Sequence, residues 1–126
     1  MKKIYLFLLM LSFGCGPDND DTISFVISNK TIDHIKITVY YKSSYYGNES
    51  NIYILEANAD TLVYWDGIYE GGNPEDFYFD NMPFDSILIY KNDSLRALGN
   101  FVSRKEWEYN NKKEYRLSVF EDDFIE

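Results

Sequence analysis

The 126-residue sequence predicts an all-β protein, an antiparallel β-sandwich of about seven short strands. Aromatic residues make up 18% of the chain, with 12 tyrosines and 9 phenylalanines, and β-branched residues recur among them. These residue types suit the half-buried surface of a sheet. Apolar and polar residues alternate over short stretches separated by turn residues, and long helix-forming runs are absent. Because parallel pairs require long crossovers, usually helical, antiparallel pairing is expected.

Two strands are predicted near the start of the folded part. Ile23 to Ser28 alternates weakly, with Phe25 and Ile27 on one face. The run from Ile35 to Lys42 has the clearest period of two in the chain. Its apolar face consists of Ile35, Ile37, Val39 and Tyr41.

The middle of the chain predicts a loop followed by a hairpin. Ser43 to Asn51 contains glycine and asparagine and is expected to be a loop. Ile52 to Glu56 and Thr61 to Asp66 look like strands, and the short turn Ala57 to Asp60 would join them as neighbours.

A second hairpin is predicted after a long loop. Gly67 to Pro83 is rich in turn residues and is expected to be that loop, with a short strand at Phe77 to Phe79. Ser86 to Lys91 is a strand, and Ser94 to Leu98 returns beside it. The two residues between them, asparagine and aspartate, suit a tight hairpin turn.

The C-terminal part predicts one short helical turn near residues 103–109 and a last strand. Ser103 and Glu106 have the spacing of a capping box. Glu114 to Phe120 alternates again, with Tyr115 and Leu117 on its apolar face. Taken together, the strands favour a sandwich resembling the immunoglobulin or transthyretin type, and a small β-barrel is the alternative.

The first 14 residues are typical of a secretory signal peptide. Lys2 and Lys3 form a basic start, an apolar run extends from Ile4 to Phe13, and small Gly14 follows. About 20 apolar residues are needed to cross a membrane, so this run is too short to span one. Residues 1–14 are therefore expected to be removed.

The cut point resembles the lipobox of bacterial lipoproteins, in the sequence Leu11-Ser12-Phe13-Gly14-Cys15. The usual pattern has leucine three residues before the cysteine, where this chain has Ser12. The looser spacing is similar to that of Bacteroidetes lipoproteins, and the resemblance implies lipidation of Cys15. A single cysteine cannot form an internal disulfide, and an ordinary signal peptide beside an unmodified cysteine is the alternative.

The mature chain is expected to have an acidic tether, residues 15–22, and one β domain, residues 23–126. Without Lys2 and Lys3, 10 basic and 21 acidic residues remain, for a net charge of −11. An acidic surface repels phosphate, so a nucleic-acid partner is not expected. The acidic cluster behind Cys15 resembles the signal that exports Bacteroidetes lipoproteins. This resemblance implies a lipid-anchored outer-membrane protein, with exposure at the cell surface as the further possibility.

The chain lacks the residue sets of common catalytic centres. His34 is the only histidine, and no nucleophile elbow or glycine-rich phosphate loop is present. One histidine and one cysteine cannot supply a zinc site, and Asp18, Asp20 and Asp21 lack the glycine and distal glutamate of a calcium loop. We therefore expect no enzyme activity, no metal and no cofactor.

One aromatic and acidic stretch suggests ligand binding. Trp65, Asp66, Tyr69 and Glu70 combine rings with carboxylates, a combination that suits glycan or peptide recognition. The competing interpretation is that the rings alternate into the core, and it is favoured for Tyr64 and Trp65 together.

Four triplets share the order aspartate, hydroxyl residue, aliphatic residue. They resemble the acceptor site for O-glycosylation of exported Bacteroidetes proteins, which would modify Thr22, Thr61, Ser86 and Ser94. The same triplets also suit the start of a strand, because aspartate with serine or threonine closes a turn.

The features together resemble small Bacteroidetes lipoproteins of unknown function. Ile27 to Thr31, Asp85 to Ile87 and Glu121 to Phe124 carry this resemblance. The expected function is a non-enzymatic, membrane-anchored envelope protein that binds a glycan or a protein partner at the outer membrane. A structural or accessory subunit of an outer-membrane complex is the alternative, and a small hydrolase using His34 is a third hypothesis.

Overall fold

A computed structural model describes residues 22–42, 49–67, 82–92, 94–110 and 113–124. In these ranges eight strands form two sheets of four. The strands are β1 (Thr22–Asn29), β2 (Ile35–Tyr41), β3 (Ser50–Leu55), β4 (Asp60–Gly67), β5 (Phe84–Lys91), β6 (Leu95–Arg96), β7 (Glu108–Asn110) and β8 (Glu114–Val119). Sheet A has the order β4-β1-β8-β7, and sheet B has the order β3-β2-β5-β6. The predicted β-sandwich is confirmed, and the alternative of a barrel is wrong because neither sheet closes among the strands that the structure describes.

The core forms between the inner faces of the two sheets. The period of two predicted for β1, β2 and β8 is confirmed, because every second side chain is buried, and at the end of β1 Ser28 and Asn29 are buried as well. Phe25 lies at the centre of an aromatic cluster. Its ring stacks on Tyr115 at 4.9 Å between centroids and meets the edges of Phe84 and Trp107 at 5.5 and 5.7 Å. Such pairs stabilise the core beyond the area they bury.

One strand pair is parallel, which the prediction of antiparallel pairing missed. β1 runs parallel to β8, with Phe25 beside Tyr115, and antiparallel to β4. A parallel pair needs a long crossover, and here strands β2 to β7 lie between the two paired strands in sequence. The order also differs from immunoglobulin constant domains, in which the first two strands share a sheet.

The predicted hairpin of β3 with β4 is wrong, although both strands exist. β3 pairs with β2 in sheet B, whereas β4 pairs with β1 in sheet A. One hydrogen bond, from the Ala59 N–H to the Glu56 carbonyl at 3.1 Å, closes the connecting turn, and several others join this turn to Asn29 of β1. Asn58 N–H donates to the Asn29 carbonyl at 2.8 Å, and the Asn29 side-chain amide donates to the carbonyls of Leu55 and Glu56 at 3.0 and 3.1 Å. The turn therefore carries the chain from one sheet to the other.

The second hairpin is confirmed, since β5 pairs with β6. Asn92 in its turn adopts a φ of 53°, the left-handed conformation that asparagine tolerates. Asp93 and the strand predicted at Phe77 to Phe79 lie outside the described residues. The helical turn near 103–109 is confirmed only as a 3₁₀ turn over Arg104–Glu106.

Two details of that C-terminal region differ from the prediction. The Ser103 side chain makes no capping hydrogen bond, so the predicted capping box does not form. Residues 108–110 continue as β7, a strand that the sequence pattern did not predict. A second 3₁₀ turn, Glu121–Phe124, follows β8 and buries Phe124.

The strand directions define two ends of the sandwich. We call the end where β1 begins the entry end, and it also holds the end of β4 and the start of β8. The opposite end, called the far end, holds Asn29, Leu55 and Lys91.

Candidate functional site

A β-bulge in sheet A determines which aromatic residue of β4 reaches solvent. Phe25 pairs with Tyr64 while the next residue, Val26, pairs with Leu62, so Val63 is the extra residue. A bulge resets the alternation of a strand. Tyr64 is therefore buried, whereas Trp65 is 57% exposed. The core interpretation is confirmed for Tyr64 and wrong for Trp65.

Trp65 is the first member of a row of three outward side chains. Ser24 of β1 pairs with Trp65 on one side and with Glu114 of β8 on the other. Cross-strand partners share a face of the sheet, and neighbouring strands lie about 4.8 Å apart. The row therefore places a ring, a hydroxyl and a carboxylate side by side near the entry end. We call it the Trp65 row.

Arg116 links Glu114 of the Trp65 row to Asp60, which lies at the start of β4, toward the far end. Its Nε donates to Glu114 Oε2 at 2.9 Å, and one terminal nitrogen donates to Asp60 Oδ2 at 2.8 Å and also to the Ser28 hydroxyl. A planar guanidinium suits such a fork between two carboxylates. The hydrogen bond from Arg116, followed by that from Ser28, lowers the pKa of Asp60 below its ordinary value. The bond to Asp60, followed by that to Glu114, raises the pKa of Arg116.

The predicted binding residues are not all brought together. Asp66 pairs with Ile23, whose side chain is buried, so the strand alternation turns it away from the face that carries Trp65. Tyr69 and Glu70 lie outside the described residues. Ser24, Glu114 and Arg116 were missed because they come from strands distant in sequence. The only signal for them was the polar half of each alternating run.

The four hydroxyl residues of the aspartate triplets lie at or near strand starts. Thr22 is the first residue of β1, Thr61 is the second of β4, Ser86 is in β5, and Ser94 precedes β6. This placement agrees with the turn-closing interpretation of the triplets. Glycosylation at these residues stays a prediction.

The other predicted features have simple locations. His34 is exposed just before β2. In the ranges that the structure describes, no group of three histidine, cysteine, aspartate or glutamate residues is placed to hold a metal ion. The described residues also include no helix long and apolar enough to cross a membrane. Cys15, Asp18, Asp20 and Asp21 lie outside these ranges.

Comparisons with known proteins identify no relative of the chain. No protein family, no curated protein and no solved structure matches the chain.

Proposed function

We propose that the chain is a lipid-anchored, non-enzymatic protein of the cell envelope, whose sandwich binds a glycan or a protein partner at the outer membrane through the Trp65 row. The exposed indole of Trp65 is the observation that carries this proposal. The bulge at Val63 directs a large apolar ring to solvent where unbroken alternation would have buried it. A ring in this position gains free energy when a partner covers it.

The chemistry of the Trp65 row favours a glycan over an apolar partner. An aromatic face stacks on the apolar face of a sugar ring, while Ser24 and Glu114 offer hydrogen-bonding groups to its hydroxyls. Arg116 fixes the Glu114 carboxylate before any ligand arrives. Groups held in position lose little conformational entropy on binding. Covering about 100 Å² of the ring would contribute roughly 2.5 kcal/mol.

The expected anchor point supports a partner close to the membrane. Cys15 precedes Thr22 by seven residue steps, which span at most roughly 25 Å. Thr22 begins β1 at the entry end, and the Trp65 row lies toward the same end. A lipid on Cys15 would therefore keep this surface near the bilayer.

A binding experiment tests the recognition part of the proposal. The mature chain from Cys15 onward is screened against a glycan array, and hits are verified by thermal shift. Trp65→Ala should weaken binding by roughly tenfold or more, because the stacking surface is lost. Phe120→Ala is the matched control, since this ring is 54% exposed and follows β8 at the far end. Absence of any hit among glycans and purified envelope proteins would contradict the proposal.

A separate experiment tests the anchor. Mass spectrometry of the mature N-terminus should find a diacylglyceryl group on Cys15, and Cys15→Ala should abolish labelling by a fatty-acid analogue. An unmodified Cys15 would refute the lipoprotein assignment and leave the binding result unaffected.

A further inference from the structure

The four sheet edges are protected unequally. β4 carries a bulge and Asp60, β7 has three residues including Glu108, and β6 has two residues including Arg96. Bulges, charges and shortness are the devices that keep an edge strand from pairing with another chain. β3 has none of them. It is six residues long, SNIYIL, without charge or proline, and its register with β2 is unbroken.

The main chain of β3 offers hydrogen bonds at its open side. Tyr41 N–H donates to the Glu49 carbonyl at 3.1 Å, so residues 49, 51, 53 and 55 direct their main-chain groups toward β2. The alternate residues Ser50, Ile52 and Ile54 then direct theirs away from β2. Within the described ranges, β3 pairs with β2 alone.

The side chains at this edge are apolar and uncovered. Ile52 and Ile54 are 61% and 60% exposed on the outward face of sheet B. Their cross-strand partners on β2 are Thr38 and Lys36, respectively. An incoming strand with isoleucine or valine at alternate positions would bury both isoleucines against its own side chains.

The charges at the ends of β3 indicate the kind of strand that fits. Glu49 and Glu56 flank the strand and are exposed. In antiparallel self-pairing, the register that places Ile52 opposite Ile54 of a second copy also places Glu56 opposite that copy's Ser50, one residue from its Glu49, at both ends. Each chain also carries a net charge of −9. Like charges so placed oppose self-association, whereas cations there would be attracted.

We propose that the β3 edge binds an extended peptide segment with alternating apolar residues and a lysine or arginine at each end, added as a fifth strand of sheet B. Strand addition of this kind takes its affinity from main-chain hydrogen bonds and its specificity from the alternate side chains. The inference goes beyond the proposed function. It uses sheet B, while the Trp65 row lies on sheet A, so either site can fail independently.

Hydrogen exchange on the mature chain tests the proposal directly. The probe is a short synthetic peptide of alternating threonine and isoleucine with a lysine at each end, and the matched control peptide has glutamate at each end. The lysine peptide should slow exchange of the Ile52 and Ile54 amide protons, and the glutamate peptide should bind at least tenfold more weakly. Equal binding of the two peptides would overturn the proposed charge preference.

Variants of β3 separate strand addition from other contacts. Ile52→Pro removes an N–H that β2 does not use, so the sheet should persist while peptide binding is lost. Ile52→Lys leaves the main-chain hydrogen bonds of β3 intact and should weaken binding of the lysine peptide at least tenfold. This variant tests the proposal if Ile52→Pro does not fold. Leu98→Lys is the control, because Leu98 is 57% exposed and lies outside the β3 edge.

Two results would overturn the proposal. The first is slow exchange of the Ile52 and Ile54 amides in the chain without peptide, which would mean that the edge is already covered. The second is a dimer in sedimentation that Ile52→Lys dissociates, which would make a second copy the occupant.

Discussion

The Tyr41 hydroxyl donates a hydrogen bond to the Val63 carbonyl at 2.5 Å and so joins β2 to β4 across the interior. Val63 is the extra residue of the bulge, and a bulged residue is left without a ladder partner. Tyr53 reinforces the contact, because its hydroxyl lies 3.1 Å from that of Tyr41. The bond therefore supports the bulge that turns Trp65 toward solvent.

Tyr41→Phe should lower the free energy of unfolding by about 1–3 kcal/mol, because the buried Val63 carbonyl loses its short hydrogen bond and keeps only the Tyr53 hydroxyl at 3.5 Å. Urea denaturation followed by circular dichroism measures the change. Tyr40→Phe is the matched control, since Tyr40 lies on the exposed face of the same strand and its change should stay within about 0.5 kcal/mol. Equal midpoints for the two variants would mean that the bond does not stabilise the fold.

Asn29→Ala should lower the free energy of unfolding by at least about 2 kcal/mol, because several buried partners lose their hydrogen bonds at once. Its amide donates to the carbonyls of Asp33 and Leu55 at 2.8 and 3.0 Å, and its carbonyl oxygen accepts from Thr31. Chemical denaturation of this variant is compared with Asn100→Ala, an exposed asparagine. A cost no greater than that of the control would contradict the role of Asn29 as the link between the sheets.

The two tryptophans should respond oppositely to substitution and to quenching. Trp107 is 2% exposed, donates from its indole nitrogen to the Phe101 carbonyl at 2.7 Å and stacks on Phe84. Trp107→Ala should therefore lower the free energy of unfolding by about 3–5 kcal/mol. Trp65→Ala should lower the free energy of unfolding by less than about 1 kcal/mol.

Acrylamide quenching checks the same assignment in the folded protein. Fluorescence of Trp107→Phe comes from Trp65 alone and should be quenched strongly, whereas fluorescence of Trp65→Phe should be protected. The reverse order would show that the bulge does not expose Trp65.

Stability should fall in acid as two carboxylates take up protons. The pKa of Asp60 is lowered by the hydrogen bond from Arg116, and that of Glu121 is lowered first by Lys91 and then by the Ile32 N–H. Because the folded pKa lies below the unfolded one, this stabilisation is complete above the ordinary values of 3.8 and 4.5 and is lost as the pH falls through the lowered values.

Urea midpoints between neutral pH and acid measure this effect. Arg116→Met and Lys91→Met should each flatten the acid limb of the profile, while Lys105→Met, at an exposed position, serves as the control. An acid limb of unchanged slope in both variants would exclude these ion pairs as its source.

The local alternation of apolar and polar residues was sufficient to predict a strand and its buried face where that alternation is unbroken. The run from Ile35 to Tyr41 predicted both the strand and its buried face, because a period of two follows from strand geometry alone. The same reasoning failed at β4, where one extra residue, Val63, reverses the faces of everything after it. None of the residue types from Leu62 to Trp65 indicates a bulge.

Pairing between strands was harder to predict than the strands themselves. The turn after Leu55 has hairpin length, yet several of its hydrogen bonds go to Asn29, 26 residues earlier than Leu55. Ser24 becomes a neighbour of Trp65 through the β1–β4 pair, and Glu114 and Arg116 join the same face only through the β1–β8 pair, which joins the two ends of the domain. Long-range contacts of this kind leave no mark in a local window.

The parallel pairing of β1 with β8 also bears on the time course of folding. A chain that is delivered N-terminus first presents β1 early, but the last neighbour of β1 is complete only at Val119. Until then Phe25 lacks Tyr115, on which it stacks, so nearly the whole domain must be delivered before the core can close. Contacts this distant in sequence slow folding. The nascent domain should therefore stay unfolded, and able to pass through a narrow channel, for most of its synthesis.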